Sequence, residues 1–321
     1  MRRVLFVALL VASALPAEPR LVSARKVWDR APHSAFTDLI RFQDRWLLTF
    51  REAEGHVGGD GAFRLLASDD GEAWSPLALL AEEGVDLRDP KLSITPDGRL
   101  MLLAGGSIYR EGRYVSRRPR VYFSSDAVNW SAGREILAEG DWLWRVTWRD
   151  GRAYGVSYRG GGGTSGERGC ALYAGADGVR YERIVEWDVP GCSEVTLRFA
   201  PDGRMWALVR READDNQAWI GVSNAPYREW EWKPAGRHVG GPDFVFLSDG
   251  SVWAAGRVYG EGNRTAAGPL DETGWRSAVF PPSGGDTSYP RLVEHGGLLW
   301  MSYYSSHEGR TSIYLAKIAW K

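Results

Sequence analysis

The stretch Asp202-Gly203-Arg204-Met205-Trp206-Ala207-Leu208-Val209-Arg210 decides the fold, because Asp249-Gly250-Ser251-Val252-Trp253-Ala254-Ala255-Gly256-Arg257 repeats it without a gap. The same frame runs from Asp150 to Tyr158 and from Asp97 to Gly105, with looser copies from Gln43 to Arg51 and from Gly296 to Tyr304. The last residues of the six copies are Arg51, Gly105, Tyr158, Arg210, Arg257 and Tyr304, so successive copies lie 54, 53, 52, 47 and 47 residues apart. Each copy reads as a tight turn followed by a strand of alternating apolar residues.

Two further columns flank this one. Upstream, a charged residue opens a short apolar strand at Asp38, Asp89, Arg145, Glu194, Asp243 and Arg291. Downstream, an Asp precedes an aromatic by four residues at Asp70/Trp74, Asp126/Trp130, Asp177/Tyr181 and Asp271/Trp275. A unit of about 50 residues holding three or four strands is the mark of a propeller blade. The expected fold is therefore all-β, a six-bladed β-propeller of antiparallel strands forming a single domain over 18–321. The segment 21–31 is expected to add an outer strand to the last blade, beside 311–320, so that the ring closes and its edges are hidden.

Composition agrees with a globular chain: 321 residues, 44% hydrophobic, 25% charged, net charge -1. That balance offers no basic face for nucleic acid and no polybasic anchor for a membrane. Residues 1–17 read as a secretory signal, with Arg2 and Arg3 ahead of an apolar run and small residues near Ala14 and Ala17. A buried N-terminal strand is the alternative. The expectation is a secreted or periplasmic protein, a monomer without membrane insertion. Cys170 and Cys192 could pair in such a compartment, or stay as two buried thiols. The five histidines (His33, His56, His238, His295, His307) are scattered without metal-ligand spacing, so neither a metal nor a cofactor is expected.

Ser68-Asp69-Asp70-Gly71-Glu72-Ala73-Trp74 and Ser124-Ser125-Asp126-Ala127-Val128-Asn129-Trp130 resemble, in shortened form, the Asp box of the sialidase (neuraminidase) superfamily. Leu47–Glu52 looks like that family's first-blade strand, Asp89-Pro90-Lys91-Leu92 like its second-blade Asp-Pro start, and Leu299–Tyr304 like its tyrosine-bearing last strand. Glu194, with Arg210 sixteen residues on, is similar to the family's Glu…Arg pair. The resemblance implies a retaining exo-glycoside hydrolase acting on a terminal acidic sugar of a glycan. A phenol attacks an anionic sugar with less repulsion than a carboxylate would, and needs a base to lose its proton; guanidinium groups pair a carboxylate bidentately.

Carried over residue by residue, the resemblance makes Glu194 the base and Asp60 the acid, with Arg51, Arg210 and Arg257 holding the carboxylate; for the nucleophile it favours Tyr303, whereas the repeat column points to Tyr304, which is the residue expected here. Arg291, Asp89, Tyr303 and His56 are further substrate-binding candidates, and Tyr303 competes with Tyr304 because adjacent strand residues face opposite ways. The family's first-blade arginine is missing, since Ala35-Phe36-Thr37-Asp38-Leu39 stands in its place. A non-catalytic glycan-binding propeller, or a glycosidase acting on another uronic or neutral sugar, remains open on the sequence alone.

Overall fold

The computed structural model describes residues 18–321 except 60, 162–163, 214 and 272, so the signal-like segment and Asp60 lie outside the described residues. Six four-stranded antiparallel sheets form the blades of a propeller: 33–80, 86–135, 142–187, 192–234, 240–275 and 287–319. The sixth is completed by Arg20–Trp28, which pairs antiparallel with Ser312–Ala319. This is the closure expected from 21–31. The first strand of the domain thus holds the last blade, and the sheet has no loose seam.

The repeat column forms the second strand of each blade. In Met205–Arg211 five of the seven residues are buried, because both faces pack on neighbouring sheets. Apolar clusters fill the gaps between blades: Leu47, Phe63 and Leu65 of blade one meet Leu92, Leu102 and Tyr122 of blade two. The Asp of the outer turns caps backbone N–H groups locally. Asp70 Oδ1 accepts from Glu72 N and Ala73 N at 2.7 and 3.0 Å, and Asp126 Oδ1 accepts from Val128 N and Asn129 N at 2.9 and 2.8 Å. The indoles of Trp74 and Trp130 donate back to the same turns, at Gly71 O and Ala127 O. These aspartates shape turns.

The inner strands set the geometry of the site. Each slips by one residue against the second strand of its blade: between Ala35 and Asp38, Arg88 and Lys91, Leu143 and Val146, Cys192 and Val195, Gly240 and Asp243, and Ser288 and Arg291. Such a bulge inserts an unpaired residue and re-aims its side chain. Four of the inserted positions have left-handed φ: Phe36 at 62°, Asp89 at 54°, Gly241 at 60° and Tyr289 at 52°. The upstream column drawn from sequence therefore mixes registers. Asp38 aligns with Lys91, Val146, Val195, Asp243 and Arg291, whereas Asp89 lies two residues ahead of that row and Arg145 and Glu194 one.

Carboxylates on the inner strands join one blade to the next. Asp38 Oδ2 accepts from Leu92 N at 2.6 Å, Glu194 Oε2 from Gly241 N at 2.7 Å, and Asp243 Oδ2 from Leu292 N at 2.8 Å. The inner strands also carry a network of buried ion pairs around the central channel. Arg145 pairs with Asp38 at 2.8 Å, Arg198 with Asp243 at 2.6 Å, and Arg291 lies 3.3 and 3.7 Å from Asp243 and Asp38. Cys170 and Cys192 form a disulfide that ties blade three to the start of the inner strand of blade four.

Candidate active site

A cavity of about 180 Å³ opens where the bulges of blades two, four and six converge. Asp89, Glu194 and Tyr289 line it from the inner strands, and Arg210 from the second strand of blade four. The long hairpin of blade two, Leu100–Arg110 with Arg113–Ser124, brings Tyr109, Tyr114 and Arg117 to the rim. Trp142 and Tyr158 of blade three form an aromatic wall that carries Arg117, whose guanidinium lies 5.5 and 5.2 Å from their ring centres.

Glu194 is the hub. Its Oε1 accepts from Tyr289 Oη at 2.5 Å and from Arg210 Nη1 at 3.0 Å, while Oε2 takes the Gly241 N–H. Gly241 can serve because its φ of 60° costs a glycine nothing, and a Cβ there would stand 2.8 Å from Ser288 Oγ. Burial alone would raise the Glu194 pKa, but Arg210, the phenol and the backbone N–H outweigh it and hold the carboxyl below its ordinary value. Tyr289 is pushed well above 10, first by burial and then by the Glu194 charge. The pair is thus phenol and carboxylate at neutral pH, with the proton on the group that would have to give it up to attack.

Asp89 behaves oppositely. Burial raises its pKa, and the Glu194 charge adds to this, against the pull of Arg88 and Lys91. Its Oδ1 is buried without a hydrogen-bond partner among the described residues. Two carboxyls in one pocket are therefore driven apart, Asp89 toward the acid form and Glu194 toward the base. Arg88 beside it is also unsatisfied. Its Nε finds no partner, and no carboxylate among the described residues lies within 4 Å of its guanidinium, which stacks over Phe36 at 5.2 Å and Trp142 at 5.9 Å. A half-buried guanidinium held by aromatic faces in a cavity is a ready anion contact.

The structure redistributes the roles expected from sequence. Glu194, Arg210 and Asp89 meet in the pocket. Tyr304 does not pair with Glu194: it is fully buried, donates to Asp286 Oδ1 at 2.9 Å and accepts from Arg257 Nη2 at 3.3 Å. Tyr303 faces the other way, stacked on Tyr314 and donating to Pro282 O, so it belongs to the core. Arg51 is wholly buried in an ion pair with Asp86 at 2.6 Å and donates to Gly55 O, anchoring the loop after it instead of facing a ligand. Arg257 turns to Thr287 O at 2.7 Å, and Arg291 sits in the channel. Arg51, Arg210 and Arg257 hence do not converge as a trio. One repeat column gives equivalent backbone sites, yet each guanidinium takes the nearest carboxylate or carbonyl.

His56 Nδ1–H donates to Asp286 Oδ2, 2.7 Å away, outside the cavity lining. Sequence reading missed Tyr289 and Arg117. A signal for Tyr289 was present: Asp89-Pro90-Lys91, Gly241-Pro242-Asp243 and Tyr289-Pro290-Arg291 share one pattern, with the bulged residue ahead of each proline. Phe36 holds the equivalent place in blade one, fully buried, its ring centre 5.1 Å from that of Tyr289.

No family model and no curated protein sequence matches the chain. Among solved structures it is similar to a Dyadobacter fermentans protein of unknown function, with a TM-score of 0.83 at 18% identity over 95% of this chain and 99% of that one. It is also similar to an α-L-arabinanase of Penicillium chrysogenum complexed with arabinobiose, with a TM-score of 0.70 at 14% identity over 92% of this chain and 98% of that one. A Trypanosoma rangeli sialidase in complex with sialic acid gives a TM-score of 0.67 at 10% identity, over 93% of this chain and 57% of that one. At these identities the likeness concerns the six-bladed fold.

Proposed function

We propose that the protein is a retaining exo-glycoside hydrolase that removes a terminal acidic sugar from a glycan. The observation that carries this reading is the 2.5 Å hydrogen bond from Tyr289 Oη to Glu194 Oε1 at the floor of a cavity flanked by Arg88, Arg117 and Arg210. Tyr289 replaces Tyr304 as the nucleophile. Its oxygen attacks the anomeric carbon while Glu194 takes the phenolic proton; the bond to the departing oxygen breaks, and that oxygen takes its electron pair and a proton. Water then releases the sugar from the tyrosine by the reverse proton traffic. Asp89 is assigned as the proton donor among the described residues, with Asp60 of the blade-one loop as its rival. Arg88 and Arg210 face the sugar carboxylate, and Tyr109 and Tyr114 give the ring a surface to stack on. The cavity holds the volume of about six liquid waters, enough for one monosaccharide ring.

Phe36, standing where the resemblance expects an arginine, favours a second reading in which the sugar is a uronic acid or a neutral pentose instead of sialic acid. An α-L-arabinofuranosidase and an α-L-arabinanase among the structural neighbours are in keeping with it. The Cys170–Cys192 disulfide suits the oxidising compartment that the export-like residues 1–17 suggest.

A fluorogenic panel comprising a sialoside, uronides and an α-L-arabinofuranoside decides between these. Tyr289→Phe and Glu194→Gln should lose about 10²–10⁴-fold in kcat on whichever glycoside is cleaved, and Tyr304→Phe much less. Asp89→Asn against Asp60→Asn identifies the acid, through rescue on substrates whose leaving group needs no proton. Full activity in Tyr289→Phe overturns the mechanism. A wild type that binds sugars yet cleaves none is a glycan-binding propeller.

A further inference from the structure

We infer that His33, His56 and Asp286 form a binding site for a divalent cation of the zinc class where blade one meets blade six. One ligand atom from each, two imidazole nitrogens and a carboxylate oxygen, come within 4.8 Å of one another. His33 Nε2 lies 3.0 Å and His56 Nδ1 2.7 Å from the same Asp286 Oδ2. The three come from the first inner strand, the following loop of blade one and the entry to the last inner strand, up to 253 residues apart. Local spacing in the sequence could not have disclosed them.

The donor set is that of an open zinc site. Two neutral imidazoles and one carboxylate give three protein ligands and leave a fourth position for water or a ligand. The carboxylate is already oriented for it. Tyr304 Oη donates to Oδ1 at 2.9 Å, and the Asp286 backbone N–H donates to Ser306 Oγ at 2.8 Å, so Oδ2 is the oxygen turned toward the imidazoles. Such outer partners fix first ligands in metal sites generally. Tetrahedral bonds of about 2.0–2.1 Å require ligand atoms roughly 3.4 Å apart, so the present 2.7 and 3.0 Å contacts need to widen by only about half an ångström. His56 can supply that movement, because its side chain is 43% exposed and it lies on a loop containing Gly55, Gly58 and Gly59. His33 and Asp286 are the less exposed partners. Arg257, 3.9 Å from Oδ1, opposes a cation but is turned to Thr287 O and the Tyr304 hydroxyl on the far side of the carboxylate.

The position gives the ion a task. Phe36 lies edge-to-face with His56 at 5.1 Å and with Tyr289 at the same distance, so one ring connects the cluster to a residue that lines the cavity. A bound cation would fasten the blade-one loop to blade six.

The test uses the full-length protein, treated with a chelator and dialysed. Titration with zinc chloride at neutral pH should show one saturable equivalent per chain. Cobalt(II) in its place should give the visible d–d absorption of a four-coordinate ion. His56→Ala, which alters a partly exposed side chain, should weaken zinc binding by more than the roughly 100-fold that loss of an outer partner costs, and should abolish the cobalt band. His238→Ala, whose imidazole stacks on Tyr259, should change neither. Near-UV circular dichroism of each variant guards against misfolding, and Asp286→Asn gives an independent second loss. Absence of saturable uptake by the wild type overturns the assignment, as does uptake by His56→Ala equal to that of the wild type.

Discussion

Asp243→Asn is expected to cost about 3–5 kcal/mol, although it removes no atom from the core. Asp243 is fully buried, and its two oxygens serve Arg198, Arg291 and the Leu292 N–H, at 2.6, 3.3 and 2.8 Å. An amide keeps a single acceptor oxygen for those three donors and points an NH₂ group at one of them. The channel holds two carboxylates, Asp38 and Asp243, against Arg145, Arg198, Arg291 and the buried Lys91. Burial, against the pull of the carboxylates, leaves Arg198 at about 9 and Lys91 at about 8, so loss of a carboxylate loosens the hold on these charges further. Removing one partner of a buried pair costs on the order of 3–5 kcal/mol. At roughly 2–4 °C per kcal/mol for a chain of this size, Tm should fall by about 10 °C. Near-UV circular dichroism reads the melt through the 16 tryptophans; Asp202→Asn, in an exposed turn, is the control. The sign with pH follows from linkage. The Asp243 pKa is held below its ordinary value, where burial would raise it but Arg291, Arg198 and Arg145 prevail. Its contribution is present above the unfolded pKa and is lost as pH falls through the folded one, so the deficit of the variant should shrink in acid. A Tm within about 2 °C of the wild type at pH 7 would refute the view that these carboxylates hold the blades together.

Arg88→Met should leave Tm nearly unchanged while weakening binding of an acidic sugar by about 10–100-fold, read by calorimetry, because this guanidinium has no carboxylate to desert. Arg51→Met should do the reverse, losing about 3–5 kcal/mol through the orphaned Asp86 with little direct effect on ligand charge. In a kcat/KM profile the acid limb should lie below pH 4.5, since Glu194 is held below that value and remains an ionised base until pH falls through its folded pKa. Cys170→Ser, or reduction of the disulfide, should cost about 3 kcal/mol by the chain-entropy account for a 22-residue separation, measured as a Tm drop with and without reductant.

How far the sequence discloses this molecule depends on the range of each interaction. The blades were readable because a turn followed by an alternating strand is a local pattern, and six copies in phase place the second strands and the closing strand at Arg20–Trp28. Glu194, Arg210 and Asp89 were readable because they lie on or beside those columns. Strand alternation could not reach Tyr289, for a reason of parity: it assigns faces by counting in twos, and the bulge between Ser288 and Arg291 adds one residue; only the shared residue-Pro pattern pointed to it. Arg88 adjoins Asp89 in the sequence, but only the fold shows that no carboxylate among the described residues pairs with it, in contrast to Arg51, Arg145, Arg210 and Arg291. Arg117 reaches the pocket along the blade-two hairpin, whose length a repeat alignment treats as a loop.

The bulge also explains why one repeated framework can carry a site at all. A six-fold ring of identical inner strands would present six equal side chains to its mouth. Here the same backbone insertion displays Phe36, Asp89, Gly241 and Tyr289, one apolar, one acid, one bare backbone and one phenol. Gly241 leaves its N–H for Glu194 of the preceding blade, and Glu194 in turn receives the phenol of the blade after. Three consecutive blades thereby share a single carboxylate, so the groups proposed for catalysis are fixed relative to each other by the contacts that join the blades. A substitution at Gly241 should therefore disturb the Tyr289–Glu194 pair as strongly as it disturbs folding, and Gly241→Ala, with its Cβ 2.8 Å from Ser288 Oγ, is the single change in which both effects can be measured on one protein.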